Sequence, residues 1–142
     1  MKDNINALDE INKGCTMGIE AINNLSDKIK SSDFKEELQK QLENYDKIED
    51  KIQQVYQKYC DAEPHEVGPV AKTMSDWMMN IQTMMDPTDS KIADLLIQGT
   101  NMGIIEGRKV LNNKNINEDI KDLINEFVTM QEKDVEYLKK YL

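Results

Sequence analysis

Gly14-Cys15-Thr16-Met17-Gly18 and Gly99-Thr100-Asn101-Met102-Gly103 are two copies of one pattern, set 85 positions apart. Each lies inside a stretch of helical periodicity. A glycine in a helix interior costs roughly 0.5–1 kcal/mol relative to alanine, so a pair one turn apart that occurs twice implies a place where helices must approach closely. Gly14, Gly18, Gly99 and Gly103 are therefore assigned to packing. They lack the strand–turn–helix setting of a phosphate loop, so nucleotide binding is not supported.

Working outward from the glycines, the same offset pairs Ile11 with Leu96, Ile19 with Ile104, Leu25 with Val110, Leu38 with Leu123, Leu42 with Phe127 and Tyr56 with Tyr141. The repeat thus extends over two helices in each half. In the first half, Leu8, Ile11, Cys15, Gly18, Ile22, Leu25 and Ile29 step by three and four, which predicts a helix from about Asn4 to Lys30. Ser31-Ser32-Asp33 stops it, and Asp33 with Glu36 reads as a capping box opening a second helix to Asp61. That helix places Phe34, Leu38, Leu42, Tyr45, Ile48, Ile52, Val55 and Tyr59 on one face. So short a connection forces it back antiparallel.

Pro64 and Pro69 break the pattern, and a short helix is expected from about Val70 to Met85. Asp86-Pro87-Thr88-Asp89 then opens the next helix, either with Asp86 as cap and Pro87 in the first turn or with Thr88 as cap. A fourth helix to Leu111 and a fifth from about Asn117 to Tyr141 complete the chain. The fifth points Ile120, Leu123, Ile124, Phe127, Met130, Tyr137, Leu138 and Tyr141 inward. The fold class is therefore all-α: a single domain over 1–142 with a hairpin at 4–61, a crossover at 62–86 carrying the short extra helix, and a hairpin at 87–141.

Composition bounds the function. A 142-residue chain with 39% hydrophobic and 32% charged residues can bury one core without disulfides or metals. No apolar run approaches the roughly 20 residues of a membrane span, and no apolar segment follows Met1-Lys2-Asp3-Asn4, so a cytoplasmic protein is expected. A net charge of −9 with Arg108 as the one arginine argues against nucleic acid and anionic membranes as partners. Cys15 and Cys60 should sit roughly 16 Å apart in height along the first hairpin, too far to pair. Both are read as free thiols.

Two helical hairpins joined by one long crossover resemble the ferritin-like arrangement. Over nearly its whole length the chain is similar to a bacterial ferritin-like family of unknown function. The likeness rests on the hairpin order, on Ser75-Asp76-Trp77-Met78-Met79 in the crossover, and on Gln98-Gly99 in the fourth helix. It implies a metal-binding ancestry that these residues do not support, because di-iron bundles take two Glu-Xaa-Xaa-His motifs and two further glutamates. Here the single histidine, His65, falls in the interhelix loop with Ala62 three residues before it. Thr16 and Thr100 stand where relatives would offer carboxylates. No cofactor is expected.

Glu49, Glu106 and Asp134 are weak candidates for an all-oxygen metal site, because each falls near an inward seam and a buried carboxylate is costly unless paired or coordinated. The plainer reading is that they reach the surface or pair with Arg108, Lys109 or Lys133. Nine methionines are many, and Met74, Met78, Met79, Met84 and Met85 crowd one short helix with Trp77. They fill core, meet a protein partner or, as soft thioethers, take copper(I). Met74, Trp77, Met78 and Met85 are the expected contact residues. No Ser-His-Asp or Cys-His set can be built on one loop histidine.

The leading expectation is a metal-free ferritin-like bundle that acts as an interaction or structural module, as a homo-oligomer or with a protein partner, through the Met-rich helix. The alternatives are a degenerate carboxylate-only metal binder or oxidoreductase, and, by resemblance, a spore-coat-associated packaging protein.

Overall fold

The computed structural model describes residues 2–60, 72–113 and 115–142. His65, Pro64, Pro69 and the expected helix start at Val70 lie outside them, as does the side chain of Cys60. Among the described residues the fold is all helical: α1 (Lys2–Leu25), α2 (Ser32–Cys60), α3 (Lys72–Thr83), α4 (Asp89–Leu111) and α5 (Glu118–Leu138), with 3-10 turns at Ser26–Lys28 and Lys139–Tyr141. α1 packs on α2 and α4 on α5, and the two pairs meet where α1 lies against α4 and α2 against α5. The short α3 lies on α1 and α4. None of the described helices is long and apolar enough to cross a membrane.

The seams are those the periodicity predicts. Leu8, Ile11, Cys15, Ile22, Leu25 and Ile29 are buried, as are Phe34, Leu38, Tyr45, Ile48 and Ile52 opposite them. Lys40, Glu43, Lys47, Asp50, Lys51 and Lys58 are exposed on the outer face of α2, where Lys58 meets Asp119 at 2.9 Å and Lys51 meets Glu126. Tyr141 stacks on Phe34 with ring centroids 4.4 Å apart. Tyr137 departs from expectation: it is exposed, under the Lys140 ammonium, because Asp134 and Leu138 occupy the inward positions of that turn.

Helix ends differ from the sequence reading for local reasons. α1 stops at Leu25 rather than Lys30, where the Ser26 hydroxyl donates to the Ile22 carbonyl at 2.6 Å and competes with the helical ladder. The cap of α2 is Ser31, not Asp33: Ser31 Oγ accepts from the Phe34 N–H at 3.3 Å. The preceding N–H groups of Lys30 and Ser31 are already taken by the two carboxylate oxygens of Asp89, each at 2.9 Å. α3 ends at Thr83, before Met85. Asp86 turns the chain in the left-handed region at φ 45°, and Thr88 caps α4 by accepting from Lys91 N–H at 3.1 Å. At the other end of the bundle, Asn4 Oδ1 accepts from the N–H of Asn117, the residue that opens α5, at 2.9 Å.

Candidate functional site

The four repeated glycines line one small cavity of about 30 Å³ at the centre of the bundle, together with Met17, Gln41, Tyr45, Trp77, Thr100 and Gln131. Each glycine leaves room for a neighbour's side chain rather than for a second backbone. A methyl group at Gly18 would sit 2.7 Å from the Tyr45 ring, one at Gly99 would overlap the Trp77 indole, and one at Gly103 would overlap the Gln131 amide. At Gly14 the same methyl would meet Phe127 at 3.3 Å, a tight but lesser approach. The repeat therefore has a structural echo: a glycine of α1 receives Tyr45 from α2, and its counterpart in α4 receives Gln131 from α5.

This divides the residues expected to form a contact face. Trp77 is buried over Gly99 and donates its Nε1–H to the Leu95 carbonyl at 2.7 Å. Met78 is also buried, so both belong to the core of the folded chain; Met74 is half-buried and Met85 is 90% exposed. Met79, at 62%, is the other exposed methionine of this stretch.

Sequence reasoning placed Tyr45 inward and singled out Thr100, but missed Gln41 and Gln131 as their polar neighbours. Gln41, Tyr45, Thr100 and Gln131 are all buried. The signal was present, because Gln131 continues the Ile120, Ile124, Phe127 seam and Gln41 the Phe34, Leu38 seam. Gln41 donates to Glu37 at 3.1 Å, and Thr100 donates to the Leu96 carbonyl at 2.7 Å. Gln131 Oε1 and Asp134 Oδ2 are buried without a hydrogen-bond partner among the described residues. Burial raises the Asp134 carboxyl to about 7, helped by the negative charge of Glu37. Burial also raises the Tyr45 phenol, with Asp134 adding to it and hydrogen bonds from Gln131 and Thr100 opposing it. At neutral pH Tyr45 is a neutral hydroxyl, and burial keeps the Asp134 carboxyl protonated far above the ordinary carboxylate range.

The three carboxylates considered for a metal do not converge. Glu106 is half-exposed and pairs with Lys109 at 3.4 Å. Glu49 has a raised pKa, first from burial and then from Asp46 and Asp50 on its own helix. Asp134 faces Glu37 instead. Among the described residues no group of three or more His, Cys, Asp or Glu is placed to hold a metal ion. Cys15 is a free thiol that donates to the Tyr45 carbonyl at 3.2 Å. Burial first, and then Glu49 and Asp46, push its pKa up, so it is no nucleophile.

A family model described as "Domain of unknown function (DUF2383)" matches residues 3–113. The chain belongs to this family. The DUF2383 match takes in all four glycines and Trp77, while Gln131 and Asp134 lie beyond it. No curated protein matches the chain. Among solved structures, it is similar to "CopM in the Cu(II)-bound form", with a TM-score of 0.77 at 9% identity, covering 97% of this chain and 94% of that one. At that identity the likeness shows a shared all-helical fold.

Proposed function

We propose that this DUF2383 chain is a ferritin-like bundle that works without a resident metal, as a protein-interaction or structural module. The single observation behind the reading is the pair of large apolar side chains left in water at the crossover, Met85 at 90% and Met79 at 62% exposure. Flexible methionine faces adapt to partner surfaces of varied shape. A second copy of the chain is the proposed partner, in a cytoplasmic setting consistent with a free, buried Cys15. A stable dimer buries about 800 Å² per protomer, so the two methionines would form the apolar centre of a wider contact.

The carboxylate-only metal reading has weaker support, since Glu49, Glu106 and Asp134 have separate neighbours. The Cu(II) of the similar structure belongs to that protein. Light scattering at tens of micromolar protein tests the proposal. A dimer that dissociates in a Met79→Gln, Met85→Gln double variant of unchanged helicity is expected. A wild-type chain that stays monomeric throughout would remove its basis.

A further inference from the structure

α1 and α3 flank an open groove of about 300 Å³ that shares Met17 with the central cavity. Three of its lining residues are methionines from two helices. Met17 and Met78 are 7% and 8% exposed, whereas Met79 is 62% exposed, so the thioethers run from the protein interior out to solvent. Glu20, exposed on the α1 wall, is the charged residue of this lining.

The residue types have a consequence. Leucine or isoleucine would fill the buried part of such a groove with better-defined rotamers, and Met79, standing in water, fills no core. Methionine adds an unbranched, flexible stem ending in a soft sulfur, so side chains from two helices can converge without moving the backbone. Thioether sulfurs are neutral and polarizable, and they select soft Cu(I) over hard cations, which prefer carboxylate and carbonyl oxygen. A monovalent ion bound by neutral ligands keeps its charge, and Glu20 supplies a counter-charge on a chain that is already at −9.

We propose that Met17, Met78 and Met79 form a three-thioether site for Cu(I), with Glu20 as its outer carboxylate. Met79 is the ligand at the mouth and captures the ion; Met17 and Met78 hold it from below. Binding leaves the copper oxidation state unchanged and releases no proton, since thioethers carry none. Cys15 is a poor competitor because its thiol is buried and already bonded to the Tyr45 carbonyl. Because Met79 also belongs to the proposed contact between copies, the site is open in the monomer, and the titration is run at protein concentrations below those at which the chain associates.

The test uses the full chain with methyl-labelled methionine, titrated without oxygen with Cu(I) and, as a redox-silent probe, with Ag(I). The methyl resonances of Met17, Met78 and Met79 are expected to shift together and to saturate at one equivalent. Met→Leu conserves volume and is well tolerated in cores, so Met79→Leu and Met78→Leu should fold as wild type. Each should weaken Cu(I) in competition with a chromogenic chelator by at least about tenfold, no less than the loss of an outer-shell partner commonly does. A Cys60→Ser chain should retain the site. Uptake that vanishes in Cys60→Ser, survives Met79→Leu, or leaves these three methyls unmoved would overturn the proposal.

Discussion

Replacing Asp134 with asparagine should change how stability depends on pH, and the structure sets the size of the effect. The carboxyl is 3% exposed, has no basic partner among the described residues, faces Glu37, and is raised to about 7 from an ordinary value of 3.8. Between those values the folded chain keeps a proton that the unfolded chain has released. Unfolding free energy therefore falls as pH rises through this window, by up to about 1.4 kcal/mol per unit. The buried charge destabilises fully only above pH 7, with a ceiling of about 4 kcal/mol. Asparagine keeps the shape and cannot ionise. Urea unfolding followed by the fluorescence of the single tryptophan, Trp77, which is buried, should give similar stabilities for both chains near pH 3.5, below the ordinary carboxyl value. At pH 8 the variant should be the more stable by a few kcal/mol. Parallel pH profiles for the two chains would refute the reasoning, because every other titrating group is common to both.

Gly99→Ala should destabilise by about 1–3 kcal/mol and red-shift Trp77 emission, since the new methyl overlaps the indole and the bundle must give way. Gly14→Ala meets Phe127 at 3.3 Å, and a gain in helix propensity of up to about 1 kcal/mol offsets the contact; its thermal midpoint should stay near wild type. Asp89→Ala leaves the N–H groups of Lys30 and Ser31 without their acceptor. A loss of about 1–3 kcal/mol in chemical denaturation is expected.

How much of this was legible depends on whether the cause was local. The seams of α1, α2 and α5 were readable because burial repeats every three or four residues along one helix. The central cavity was half readable. The doubled glycines marked its place, but nothing in a linear chain says that Gly99 makes room for Trp77 of another helix, and so Trp77 looked like a surface anchor. The cap of α2 was misplaced at Asp33 because the groups that fix this turn include Asp89, 58 residues from Ser31. Asp134 was legible as inward, but its lack of a counter-charge was not, because Arg108 and Lys109 bind Glu132 and Glu106 instead.

The Asp89 and Asn4 hydrogen bonds hold the two halves at opposite ends, and both engage main-chain N–H groups. A main-chain donor is present whatever side chain the position carries, proline apart. These two ties therefore do not draw on the side chains of Lys30, Ser31 or Asn117, and the duplicated units stay in register like two rulers pinned at both ends. The pins fix their alignment, leaving each half free to diverge in sequence from its twin.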